Sequence, residues 1–181
     1  MNYMKIVPCD IANGEGVRVT LFCCGCDHHC PGCHNPQTWD PNAGQPFTES
    51  TLNELIELLR PDYIQGLTLT GGDPLYPDNR EAICKIILRV AKEFGMKKDI
   101  WMWTGYTLEE LWSQQDALTD DWLDRIFANI DVLVDGPFTK AKRDISLPYM
   151  GSSNQRVIDI DMSILKGKPV LWWTPEGKKG E

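Results

Sequence analysis

The chain is predicted to fold as an α/β protein with a mainly parallel sheet and crossover helices. Three observations carry that prediction. Six short β-type runs alternate with amphipathic helical patterns, and the most unusual residues gather just past the ends of the first four runs. A length of 181 residues, with 42% hydrophobic and 24% charged residues, suits one compact domain spanning 1–181.

The β-type runs fall at 17–22, 66–70, 100–103, 131–134, 156–160 and 169–173. Between them, Leu52, Leu55, Ile56 and Leu59 recur at i, i+3, i+4 and i+7. Ala82, Ile83, Ile86, Ile87 and Val90 make a second apolar stripe, stopped by Gly95 in the position that ends a helix. Thr107-Leu108-Glu109-Glu110 is a capping-box pattern that opens a third helix, and a fourth is expected over 120–127, after Thr119. The alternation fits either an open doubly wound sheet or part of a barrel. In both, ligands collect at the carboxyl ends of the parallel strands. A cysteine cluster follows the first run, Gly71-Gly72-Asp73 the second, Thr104-Gly105-Tyr106 the third and Asp135-Gly136 the fourth, so four loops are expected to share one mouth.

A net charge of −8 supplies no basic field for a phosphate backbone, so nucleic acid and an anionic membrane are not expected partners. No apolar run reaches the roughly 18 residues of a membrane span, and residues 1–6 do not resemble a secretory signal, so the protein is expected in the cytoplasm. In a reducing compartment seven cysteines are not a disulfide framework, and five of them crowd into positions 23, 24, 26, 30 and 33. That crowding points to a metal. Cys26, Cys30 and Cys33 form a Cys-x3-Cys-x2-Cys pattern that can wrap one face of an iron-sulfur cluster and leave one iron without a cysteine. Structural zinc, with a fourth ligand from His28, His29 or His34, also satisfies the spacing. Cys9, Cys23, Cys24 and Cys84 lie outside the pattern and are expected as small buried residues. His28 and His29 are expected as solvated loop residues. Trp101, Trp103, Trp172 and Trp173 are expected in the core or at its rim.

The cysteine pattern after a first strand, followed by a Gly-Gly-acid turn after the second, resembles the radical S-adenosylmethionine superfamily. Further landmarks resemble, in order, the activating proteins of anaerobic ribonucleoside-triphosphate reductases. They are Arg18-Val19-Thr20-Leu21-Phe22, Pro31-Gly32-Cys33, Thr70-Gly71-Gly72-Asp73-Pro74-Leu75, Trp103-Thr104-Gly105-Tyr106, Val132-Leu133-Val134-Asp135-Gly136 and Gly151-Ser152-Ser153-Asn154-Gln155. The resemblance covers about 10–160; residues around Trp172 and Trp173 match nothing in it, and 175–181 read as a loose polar tail.

The resemblance implies a partial barrel and one [4Fe-4S] cluster held by Cys26, Cys30 and Cys33. It implies S-adenosylmethionine on the open iron, with Gly32, Cys33 and His34 on the adenine side and Gly71, Gly72 and Asp73 near the methionine. Thr104, Asp135 and Asn154 are further candidates for contact, although turn chemistry alone accounts for the first two. It also implies a glycyl radical placed on the large reductase subunit and a low-potential electron donor of flavodoxin or ferredoxin type. An activator of another glycyl-radical enzyme, a small-molecule radical enzyme, and a zinc-stabilised or electron-carrying module remain as alternatives.

Overall fold

A computed structural model describes residues 1–115 and 122–174. Eight strands form one sheet: β1 (Asn2–Asp10), β2 (Val17–Cys23), β3 (Gln45–Pro46), β4 (Ile64–Gly71), β5 (Asp99–Trp103), β6 (Val132–Asp135), β7 (Arg156–Asp159) and β8 (Val170–Leu171). Their order is β3-β1-β2-β4-β5-β6-β7-β8, and the sheet is open. The centre, β2-β4-β5-β6, is parallel, whereas β1 and β3 on one flank and β7 and β8 on the other pair antiparallel. The parallel character read from the sequence is therefore confined to the four central strands. The last two runs are shorter than expected. Ile160 leaves the strand because the Asp159 side chain accepts the Met162 amide at 2.9 Å and starts a helix there.

Side chains alternate across the central strands and divide the sheet into two unlike faces. Val19, Leu21, Leu67, Leu69, Ile100, Met102 and Leu133 join one continuous apolar core. Packed on that face are α1 (Glu49–Leu59), α2 (Arg80–Phe94), α3 (Leu108–Gln115) and α4 (Trp122–Phe127), with α5 (Ile160–Lys166) following β7. Thr48 and Thr51 cap α1 reciprocally, α2 ends at Gly95 with φ +57°, and Thr107 with Glu110 makes the capping box before α3. The expected start of the fourth helix at Thr119 and Asp120, and the tail from 175 onward, lie outside the described residues. Among the described residues no helix is long and apolar enough to cross a membrane.

The opposite face carries Arg18, Thr68, Trp101 and Trp103. Arg18 is fully buried there. Its guanidinium donates to Thr68 Oγ1 at 2.8 Å, the Leu67 carbonyl at 2.9 Å and the Glu15 carbonyl at 3.0 Å, and pairs with Asp99 at 2.5 Å. Thr68 Oγ1 donates in turn to the Asn13 carbonyl at 2.7 Å. Asp10 caps the same loop by accepting the Ala12 amide at 2.8 Å and the Asn13 side chain at 2.7 Å. Burial would raise the Asp10 carboxyl, but these donors bring it below its ordinary value. The loop between β1 and β2 is thus tied onto the polar face, where Ala12 and Asn13 reach the cavity described below. Replacing Arg18 by Met strips this buried network of its donor and leaves acceptors unpaired. We expect a loss of about 3 kcal/mol in urea unfolding of the apoprotein, and a change under 1 kcal/mol would contradict the account.

Candidate active site

A cavity of about 400 Å³ opens at the carboxyl ends of the parallel strands. Cys26, Cys30 and Cys33 line it, as do Gly32, His34, Gly71, Gly72, Asp73 and Thr104. The size lies within the roughly 300–1,000 Å³ of small-molecule sites.

The cysteine loop is laid across the end of β4 by backbone pairing. Gly25 N donates to the Thr38 carbonyl at 2.8 Å and Cys26 N to the Trp39 carbonyl at 3.0 Å, while Asp73 N donates to the Gly25 carbonyl at 2.7 Å. Asn79 Nδ2 adds a bond to the Cys24 carbonyl at 2.8 Å. This crossing explains the paired glycines. A Cβ on Gly72 would stand 2.6 Å from the Gly25 carbonyl oxygen, and one on Gly71, whose φ is +105°, would stand 2.7 Å from that of Cys23. The chain that comes closest is therefore the end of β2 at Gly71 and the start of the cysteine loop at Gly72.

Asp73 is buried at the junction. Its carboxylate accepts the Leu75 amide at 2.8 Å, the Thr104 hydroxyl at 2.9 Å and the Gly105 amide at 2.9 Å. The fourth partner comes from inside the cysteine pattern, with His28 Nε2 3.0 Å from Asp73 Oδ2. The two atoms approach without in-line hydrogen-bond geometry. The carboxylate raises the imidazole above its ordinary basicity; burial opposes the rise, and Glu110 and Asp27 add to it. His28 also packs edge-on against Tyr106, with ring centres 4.5 Å apart. It is not the solvated loop residue expected from sequence, because Asp73 and Tyr106 hold it. His29 is the more exposed of the two and rests edge-on against Trp39, 4.8 Å between centres.

The three thiols differ in surroundings. Burial pushes Cys26 up to about 11, against the amides of His28 and His29 that point at its sulfur. Burial also raises Cys30, against the Phe138 amide. The Asn35 amide donates to Cys33 Sγ at 3.3 Å. Backbone amides directed at each sulfur suit thiolates that carry charge only when a metal shares it, which is how iron-sulfur sites are tuned. Three thiols from one short loop lining one cavity, each met by backbone amides, are donor chemistry that fits an iron-sulfur cluster.

Two candidates sit elsewhere. Asp135, buried at the end of β6, accepts the Leu108 amide at 2.9 Å at the start of α3 and pairs with Arg156 at 2.5 Å; Arg156 also grips Glu109 at 2.6 Å. It does not line the cavity. Asn154 donates to the Pro137 carbonyl at 2.8 Å and is likewise absent from the lining, whereas its neighbour Gln155 is part of it. The sequence reading also did not single out Phe138, Tyr149 and Met150, which wall the cavity. They lie in the irregular segment after β6, where no periodicity marks a side chain's direction. Cys23, Cys24 and Cys84 are buried as expected, but Cys9 is exposed on β1.

Residues 12–158 match the model of the 4Fe-4S single cluster domain family. The chain is 47% identical over 157 residues to the anaerobic ribonucleoside-triphosphate reductase-activating protein of Enterobacteria phage T4, covering 87% of this chain and 93% of the relative. Similarity to the protein of that name from Escherichia coli K12 is 47% over 159 residues, covering 87% and 97%. With that of Pasteurella multocida it is 48% over 157 residues, covering 86% and 95%. The chain belongs to the family of anaerobic ribonucleoside-triphosphate reductase-activating proteins. The cavity, its three cysteines and the Asp73 cluster that anchors their loop all draw on residues within the matched segment 12–158.

The anchor has a measurable signature. A Cβ on Gly105 would fall 2.3 Å from His28 Cδ2, so Gly105→Ala must eject the imidazole. We expect Gly105→Ala to cost about 1–3 kcal/mol and to lower iron loading. His28→Ala in the same chain should recover part of that stability, by 0.5 kcal/mol or more in a double-mutant cycle. Strict additivity of the two substitutions would refute the contact.

Proposed function

We propose that this protein activates an anaerobic ribonucleoside-triphosphate reductase by radical chemistry that starts from S-adenosylmethionine. The observation that carries the reading is that Cys26, Cys30 and Cys33 share one cavity with the Gly71-Gly72-Asp73 turn. Cys26, Cys30 and Cys33 would hold a [4Fe-4S] cluster with one iron left to the ligand. The cluster so held would supply one electron for breaking the carbon–sulfur bond of S-adenosylmethionine, with release of methionine, and the chemistry would end in hydrogen-atom loss from a glycine of the large reductase subunit to 5′-deoxyadenosine.

The chain's own residues do the rest by position. His34 and Phe138, ring centres 6.3 Å apart, offer flat surface for adenine beside Gly32. Trp103, Phe138, Tyr149 and Met150 keep water from a reactive carbon radical. Asp73 is fully engaged by protein donors, so it fixes the wall and does not serve as an acid or base. We read the open sheet, with helices on one face and the cavity at the edge of the other, as the partial barrel of this chemistry, and the cytoplasm as its setting.

The test is an anaerobic mixture of iron-loaded protein, S-adenosylmethionine, dithionite and the large reductase subunit. A glycine-centred doublet in electron paramagnetic resonance, with 5′-deoxyadenosine and methionine formed in step, is expected. Cys26→Ala should abolish both. Iron-loaded, reducible protein that forms neither product would overturn the proposal.

A further inference from the structure

The surface next to the cysteine loop carries a charge pattern that the cavity does not explain. Lys140, Lys142 and Arg143 place three cations within four positions of a chain whose net charge is −8. All three are exposed. Surface ion pairs of the described residues engage Arg60, Lys85, Arg89 and Arg156 and leave these three out. The following acid, Asp144, is turned onto Ser146, whose amide and hydroxyl it accepts at 2.9 and 2.6 Å. Ile145, between them, is 87% exposed. An exposed apolar side chain rimmed by unpaired cations is a protein-binding pattern.

The patch is held in place and borders the cysteine loop. Thr139 N donates to Ser152 Oγ at 3.1 Å and Ser153 N to the Lys142 carbonyl at 2.9 Å, which pins the turn Lys140–Lys142. A Cβ on Gly32 would meet Lys140 Cδ at 3.5 Å and Phe138 Cε1 at 3.6 Å, so the lysine stem lies along the stretch between Cys30 and Cys33. Phe138 lines the cavity, while Lys140, Lys142 and Arg143 do not. The cations therefore face solvent beside the loop and off the cavity lining.

We propose that Lys140, Lys142, Arg143 and Ile145 form the docking surface of a small acidic electron-carrier protein. The inference rests on the function proposed above, which requires one electron per turnover from outside the chain. At each encounter the carrier is oxidised by one electron and the cluster is reduced by one; no bond forms or breaks at this surface. Electron-transfer contacts of this kind are small and transient, and complementary charge governs their rate of encounter more than their strength. A net acidic protein needs a local patch of this sort to attract an acidic carrier at all.

The experiment compares the iron-loaded protein with its Lys142→Glu/Arg143→Glu variant, using photoreduced flavodoxin, dithionite and reduced methyl viologen in turn as electron source. Cluster reduction is followed by absorbance, S-adenosylmethionine cleavage by 5′-deoxyadenosine and, with the large reductase subunit added, the glycyl radical by electron paramagnetic resonance. With flavodoxin at low ionic strength, the variant should be reduced at least about tenfold more slowly, and the difference should shrink as salt approaches 1 M. With dithionite, an anion, and viologen, a cation, cleavage should match the parent within twofold. Equal loss with all three sources would mean a damaged site and overturn the assignment, as would an unchanged flavodoxin rate. Loss of only the glycyl radical, with cleavage intact, would assign the patch to the reductase subunit instead. Reversal of Lys166 and Lys168, exposed at the end of α5, serves as the charge control and should leave the flavodoxin rate within twofold. Absence of cleavage in the parent with dithionite would instead refute the parent function, so the two failures are distinguishable.

Discussion

One buried carboxylate holds the site together. Asp73 receives donors from its own turn, from the loop after β5 and from the cysteine loop, so three segments distant in sequence meet at one charge. A buried carboxylate without such partners costs several kcal/mol, which makes each segment's position a condition for the others. His28 stands midway between Cys26 and Cys30. Tethering that one side chain therefore restrains both flanking thiols, whose sulfurs must be in place before a cluster can form. The three-residue gap in the cysteine pattern is long enough to send a side chain back to the sheet and short enough for the tether to act on both ends.

The sheet divides its labour between faces. Helices α1 to α4 bury the apolar alternation of the central strands on one side, in a close-packed core that tolerates little volume change. The other side is assembled from polar and aromatic groups. Arg18 fills its lower part through hydrogen bonds to backbone carbonyls and Thr68. Above it, Trp101 packs on Tyr149 at 4.9 Å and Trp172 at 4.8 Å between ring centres. Trp103 Nε1 donates to the Tyr149 carbonyl at 2.9 Å, which fixes the segment that supplies Tyr149 and Met150 to the cavity. The cavity thus inherits its shape from the face opposite the one that α1 to α4 cover.

The reach of the sequence follows from which interactions are local. Period-two alternation in 66–70 and 100–103 and period-three-to-four stripes in α1 and α2 depend on near neighbours, so these elements were legible. Strand β1 was not, because Pro8 and a bulge between Val7 and Asp10 break its alternation, and β3 is two residues long. At the site, Cys26, Cys30 and Cys33 were readable from spacing alone. His28 was not, since its partner Asp73 is 45 residues away, and a histidine in a loop carries no mark of what it touches. Asp135, read from its place at a strand end as either a ligand contact or a turn acid, is held by the α3 amide and Arg156, partners that local pattern does not show.

The protonation of the loop adds a final constraint. Burial raises the Cys26 and Cys30 thiols further above an ordinary value that already favours the neutral form, and nearby Asp73 adds to the rise. Ligation needs thiolates and must release those protons. Thiolates would then repel Asp73 unless the metal and the surrounding amides absorbed their charge. The amides of His28, His29, Asn35 and Phe138 are already aimed at the sulfurs, and the His28 imidazole lies against the carboxylate. The same histidine thus ties the loop to the carboxylate whose charge the thiols meet.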